Sequence, residues 1–263
     1  MAAIKNRRKE KKMTIAKANK IVTPRDIAIF QYLYENRVAT VQQINRDVFG
    51  YKAKSVVCKR LDKLNNGGWI KRGFALFGSR TRHTYSITEE TFQRIIKNDV
   101  FDYTYTQIQS DSKTHDITLV DIKHSLTQLK TVTDYKTENI VLQNKKSDAM
   151  SYVNLSYHIR SDALMTVTLN QNSDFVFPIE YESINKKEKR YASKAAQYYA
   201  AAEYNIVLYI YSDPQIYKNL TQAEQSIVQD EQYRFYFCKT NDVINHSGSV
   251  TFTNQKGETI MID

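Results

Sequence analysis

Two apolar-patterned runs, residues 163–169 and 175–181, flank the polar tract Asn170–Asp174. Runs of this length around a polar turn predict an antiparallel β-hairpin. A turn centred on residue 172 gives paired residues a number sum of 344, which sets Asp162 opposite Glu182 with Glu180 diagonal to it. Side chains alternate along a strand, so the three carboxylates share one face. Clustered anions repel unless a cation neutralises them or one holds a proton. A divalent metal, Mg²⁺ or Mn²⁺, held by Asp162, Glu180 and Glu182 is the expected solution, because hard cations prefer oxygen ligands.

The positive charge of the chain is concentrated at the other end. The net charge is +10. Residues 1–20 hold eight Lys/Arg and one Glu, and residues 21–95 hold thirteen Lys/Arg and six Asp/Glu. The remaining 168 residues carry 17 basic and 21 acidic groups. A cationic first third predicts a polyanionic partner, and the acidic remainder predicts carboxylate chemistry. No apolar run approaches the ~18 residues that a membrane span needs, and the N-terminus has no apolar leader segment. Cys58 and Cys238 lie far apart with no metal-type spacing and read as thiols of a reducing compartment, so the expected location is cytoplasmic.

The first third divides into elements by its caps. Residues 1–20 form a basic tail. Thr23-Pro24-Arg25-Asp26 is a helix start, followed by an apolar face of Ile27, Phe30, Leu33 and Tyr34. Thr40 with Gln43 starts a second helix, with Val41, Ile44 and Val48 inward and Gly50 at its end. A third helix covers about 52–65 with Val57, Leu61 and Leu64 inward. Its other faces show Lys52, Lys54, Ser55, Lys59, Arg60 and Lys63, and Gly67-Gly68 stops it. Trp69–Phe74, which includes Lys71 and Arg72, and Thr84–Ile87 read as two strands around a tip carrying Arg80 and Arg82.

Three short helices followed by a hairpin predict a winged helix-turn-helix over residues 21–98. A basic third helix suits the major groove, and the wing arginines suit phosphates or the minor groove of double-stranded DNA. Residues 99–113 read as a linker. Residues 114–263 read as helix, strand 138–143, the acidic hairpin, a helix over 186–203 with an Asn185/Glu188 capping box, strand 205–211, helix 221–231, strand 234–239 and a last hairpin over 249–262. The order predicts an α+β fold: a mixed sheet with helices on both sides.

Ser161-Asp162-Ala163, Glu180-Tyr181-Glu182 and a basic helix reaching Lys194 and Tyr198 resemble the replication-relaxation family of plasmids and other mobile elements. The segments "TPRDIAIFQYLYENRVATVQQI", "KRLDKLNNGGWIKR" and "HTYSIT" are similar to that family's winged-helix half, and His115 matches a histidine at the start of its next helix. The resemblance covers about residues 20–212. It implies a second half similar to the PD-(D/E)xK restriction-endonuclease-like fold, whose metal site uses one Asp and a Glu-x-Lys. Here Asp162 and Glu180 match the acids, Ser161 replaces the Pro, and Glu182 occupies the lysine position. Lys194 or Lys187 would then supply the missing cation.

Two functions follow as expectations. One is a metal-dependent DNA endonuclease or nickase with Asp162, Glu180, Glu182 and Lys194 as catalytic residues and His115 as the alternative base; a homodimer would cut both strands. The other is a DNA-binding replication initiator, mobilisation accessory factor or repressor with a silent nuclease-like domain.

Overall fold

A computed structural model describes residues 22–77, 79–97, 104–143, 159–170, 173–201, 204–228 and 231–263. The basic tail expected at 1–20, residues 99–103 of the expected linker, the hairpin tip 171–172 and the far ends of the helices expected to reach 98 and 203 lie outside the described residues, whereas the helix expected to reach 231 ends at Gln225. The chain divides into two units, Met1–Thr114 and His115–Asp263.

In the first unit, helix α1 (Pro24–Asn36) opens on a complete capping box. Thr23 Oγ1 accepts from the Asp26 N–H, Asp26 returns the contact, and Pro24 occupies the first turn. Ile29, Phe30, Leu33 and Tyr34 form its buried side. A two-residue strand, β1 (Ala39–Thr40), leads into α2 (Val41–Ile44), which the Thr40/Gln43 capping box starts. The turn widens over Asn45–Phe49 and ends at Gly50, whose φ of 62° a side chain would disfavour. Helix α3 (Lys54–Asn66) buries Val57, Leu61 and Leu64.

Strands β2 (Ile70–Phe77) and β3 (Arg80–Ile87) pair in one uninterrupted register from Ile70↔Ile87 to Phe77↔Arg80. The ladder is longer than the sequence suggests, so Arg80 and Arg82 stand on β3 rather than on a loose tip. β1 pairs with β3, giving a three-stranded sheet in the order β1-β3-β2. Thr88 caps a short helical segment over 89–96. The part of the expected linker that is described is folded onto this unit. Ile108 is buried, and the Tyr105 hydroxyl donates to the Ile87 carbonyl at 2.8 Å.

The second unit is a mixed α+β fold. Seven strands form a curled sheet in the order β10-β9-β8-β7-β6-β5-β4, parallel at β6–β7–β8 and antiparallel elsewhere. The strands are β4 (Val132–Thr137), β5 (Ala163–Asn170), β6 (Ser173–Glu182), β7 (Val207–Tyr211), β8 (Phe235–Lys239), β9 (Val250–Thr253) and β10 (Thr259–Ile262). Helix α4 (Lys113–Leu126) covers one face with Ile122 and Leu126, against Met165, Ile179, Tyr181, Leu208 and Ile210. Helices α5 (Glu138–Gln143), α6 (Glu188–Ala200) and α7 (Pro214–Gln225) cover the other, where Val141, Tyr191, Tyr198, Ile216 and Leu220 meet Leu164, Val207 and Tyr209. The short α8 (Thr240–Ile244) adds Val243 to the first face. β7 sits inside the sheet and is apolar on both sides, as a central parallel strand must be.

Several expectations are corrected. Residues 138–143 are helix rather than strand. The strand is 132–137, and the chain turns at Glu138 so that Val141 packs under the α6 face. The helix expected at 221–231 starts seven residues earlier, where Asp213 accepts from the Gln215 N–H and Pro214 takes the first position. The Asn185/Glu188 capping box does not form. Lys187 is the cap residue, with no side-chain cap bond, and Asn185 Oδ1 accepts from Tyr191 and Asn219 instead.

The acidic hairpin forms, but two residues out of the expected register. Asn170 pairs with Ser173, an irregularity follows at Thr168/Asn170, and from Thr168↔Asp174 to Ala163↔Ile179 the number sum is 342. A shift of two preserves which face each side chain occupies. It places Asp162 across from Glu180 rather than Glu182.

Candidate functional site

The acid cluster sits where β5 begins and β6 ends. Glu180 and Glu182 point to the α6 side of the sheet, and both are buried. Glu180 meets α6 directly. Its Oε1 accepts from the Tyr198 hydroxyl at 2.6 Å, and its Oε2 pairs with the Lys194 ammonium. Glu182 pairs with Lys186 Nζ at 2.6 Å. Asp162 precedes the first residue of β5, and its carboxylate reaches the backbone of the neighbouring strand. Its Oδ2 accepts from the Tyr181 N–H at 2.8 Å and lies 3.6 Å from His115 Nε2.

His115 is held by acceptors on both sides. Its Nδ1 is 3.2 Å from Asp116 Oδ1, and its Nε2 is 3.1 Å from the Tyr181 carbonyl. A neutral imidazole has one N–H and would present a lone pair to one of these oxygens, so the arrangement favours the doubly protonated ring. Burial opposes that charge, but the Asp116 and Asp162 carboxylates outweigh it and raise the ring to about 11. A ring held in its charged form by two carboxylates is a poor general base near neutrality, which weighs against the expected role of His115 as the alternative base.

The electrostatics of the acids divide in two. Burial raises the Glu180 carboxyl to about 7, with Lys194 opposing the rise and Asp162 adding to it. Burial would raise Asp162 as well, but the His115 hydrogen bond and the His115 and Lys194 charges hold it below the ordinary carboxylate range. Lys194, against the penalty of burial, is kept protonated by Glu180 and Asp162. Two polar atoms nearby are buried without a hydrogen-bond partner: Asp116 Oδ2, and the hydroxyl of Tyr135, which feels the charge of Asp162.

The expected metal trio therefore does not converge on one point. Among the described residues, no three His, Cys, Asp or Glu side chains are placed to hold a metal ion. Each acid has its own cation, His115 for Asp162, Lys194 for Glu180 and Lys186 for Glu182. A divalent ion at these carboxylates would have to displace Lys186 or Lys194. Of the two lysines considered for the missing cation, Lys194 reaches the cluster, through Glu180, and Lys187 is exposed. Lys186, in the loop between β6 and α6, was not among the expected site residues, and no local pattern marks its pairing with Glu182.

The chain matches no family model, no curated protein and no solved structure. The sites therefore stand on their own geometry.

The second candidate surface belongs to the N-terminal unit. Lys52, Lys54, Ser55, Lys59 and Lys63 are exposed on or just before α3, and the four lysines have no ion pair among the described residues. Lys71 and Arg80 are likewise exposed. A cleft of about 350 Å³ between α3 and the β2–β3 hairpin is lined by Lys54, Cys58, Asp62, Arg72, Arg82 and Tyr85. Arg72 pairs there with Asp62 and lies over the Tyr85 ring at 5.7 Å, and Arg82 lies over the Phe77 ring at 4.7 Å.

Arg60 is the exception. It turns inward, donates from Nε to Asp26 Oδ1 at 2.6 Å and pairs through Nη2 with Asp26 Oδ2. Asp26 is fully buried, so this fork ties α3 to the start of α1. Arg60 is a structural residue here, which corrects its place among the expected DNA contacts.

Proposed function

We propose that this chain is a DNA-binding protein that grips duplex through a winged helix in its N-terminal unit. In this reading the C-terminal unit is nuclease-like in plan, and its acids are neutralised by the chain's own lysines and histidine. The supporting observation is the distribution of partners. Lys54, Lys59 and Lys63 on one helix, and Lys52 just before it, are exposed and have no ion pair among the described residues, whereas Asp162, Glu180 and Glu182 are each already paired. Unpaired cations on a helix beside a basic hairpin suit a phosphate backbone flanking the major groove. The helix–helix–helix–hairpin order supports the same reading. With the resemblance to replication-relaxation proteins, it suggests a replication initiator, a mobilisation accessory factor or a repressor of a mobile element. Gel retardation of duplex DNA tests it. Wild type retards, and Lys59→Gln/Lys63→Gln retards weakly. Equal retardation by the two proteins contradicts the docking.

A second reading is a metal-dependent endonuclease. It is favoured by one observation: Asp162 lies across from Glu180, and Lys194 from α6 meets Glu180 and stabilises both carboxylates. Supercoiled plasmid with Mg²⁺ or Mn²⁺ decides between the readings. Relaxed circles from wild type, and none from Asp162→Ala or Glu180→Ala, establish the enzyme. Binding without cutting on a plasmid carrying the selected binding site supports the silent form.

A further inference from the structure

The cations of the C-terminal unit are concentrated in one place. Residues 115–263 hold 15 Lys/Arg against 18 Asp/Glu. Five of the 15, Lys186, Lys187, Lys189, Arg190 and Lys194, fall within nine residues that contain one acid, Glu188. Two of the five are engaged, Lys186 with Glu182 and Lys194 with Glu180. Lys187, Lys189 and Arg190 are exposed and have no ion pair among the described residues.

Folding does not account for these three. They occupy the cap and first turn of α6, where the helix dipole favours acids and disfavours cations. Their position along the helix is informative. Lys187, Arg190 and Lys194, spaced three and four residues apart, make one ridge, with Lys189 beside it in the first turn. The ridge starts in solvent and ends at Glu180, where Lys194 is bound. Glu188 is the one acid within the stretch, and Glu180 and Glu182, at the buried end of the ridge, are already neutralised by lysine and would repel an approaching anion little.

We infer that Lys187, Lys189 and Arg190 form a second surface for nucleic-acid phosphates, carried by the C-terminal unit itself. This rests on the DNA-binding reading above and extends it from one unit to both. A membrane-surface segment would carry large apolar residues beside its cations. The exposed neighbours on α6 are Glu188, Ala192, Ser193, Ala196 and Gln197, and Ile184 just before the helix is a single exposed apolar side chain, a set that suits a phosphate chain better than acyl chains.

The test uses the full chain and a random-sequence duplex, with affinity measured by fluorescence anisotropy over a series of salt concentrations. Each phosphate contact contributes about 0.9 to the slope of log K against log salt. Lys187→Gln/Lys189→Gln/Arg190→Gln should lower the slope by about 2 to 3 and weaken binding at low salt by about tenfold or more. Its thermal midpoint should be unchanged or higher, since cations leave a helix start. Lys59→Gln/Lys63→Gln should lower the slope separately, and the combined variant should add the two effects. If the triple variant keeps the wild-type slope while Lys59→Gln/Lys63→Gln loses it, the second surface is wrong and the DNA reading stands. The same holds if the triple variant loses only retention on a poly-glutamate column, which assigns the ridge to an acidic protein. If wild type binds no duplex at any salt, both fall together.

Discussion

At the scale of single residues, the C-terminal unit is organised by buried charges that find their partners in distant parts of the chain. Glu180 is almost wholly buried and depends on Lys194 and Tyr198 from α6. Removing the ammonium leaves a buried carboxyl that must stay charged or take up a proton, which costs up to about 3–5 kcal/mol. Lys194→Met should therefore destabilise the protein by that order in urea unfolding, and adding Glu180→Gln should restore much of the loss. A double variant as unstable as the single would mean that the ammonium packs rather than neutralises.

His115 supplies a pH dependence with a definite sign. Its folded value, about 11, lies above the unfolded 6.5. Its contribution is complete below 6.5 and is lost as pH rises from there towards 11. Asp162, held low, withdraws its own contribution as pH falls below about 4. The stability gap between wild type and His115→Ala should be widest between those limits and narrow on the alkaline side. A gap that stays constant to pH 10 contradicts the doubly protonated ring.

The acids of this cluster were legible in the sequence, because alternation along a hairpin determines which residues share a face. Their cations were less so. His115 is 47 residues from Asp162 in the chain, and nothing local marks the pair.

At the scale of elements, local chemistry set most boundaries. Thr23, Thr40 and Thr88 cap their helices as their sequences suggest, and Gly50 ends the widened turn that follows α2. Failures came where tertiary contact overrode a local signal. Ile140-Val141-Leu142 reads as strand but packs as helix, and Asn185 makes contacts with Tyr191 and Asn219 instead of capping α6. Asp213-Pro214 was a sound start signal for α7 that the apolar pattern obscured.

The Arg60–Asp26 fork gives a test at this scale. Arg60→Ala strands a buried carboxylate between α1 and α3 and should cost about 3–5 kcal/mol of stability in the N-terminal unit. Lys59→Gln, its exposed neighbour, should leave stability within about 0.5 kcal/mol and reduce DNA affinity. Thermal unfolding followed through Trp69, which stacks on Phe30 in this unit, separates the two. Similar midpoints for both variants would show that the fork carries little.

At the scale of the whole molecule, charge asymmetry was the most transferable signal. A basic first third and an acidic remainder are present in composition before any fold is known. The structure adds a qualification: unpaired cations also gather at the start of α6, inside the acidic part. The mixed sheet with helices on both faces followed from element order, because strands that return through helices must run parallel and be covered. The precise register did not follow, because one irregularity near a turn displaces every pair in the hairpin.

The central claim is that the exposed lysines of α3 engage duplex DNA. The most direct measurement is selection from a random-sequence duplex library by the full chain, repeated with Lys54→Gln/Lys59→Gln/Lys63→Gln. Wild type should enrich a shared sequence and release it as salt rises, and the variant should enrich nothing. A library that passes through wild type unretained, or is enriched equally by both proteins, contradicts the claim.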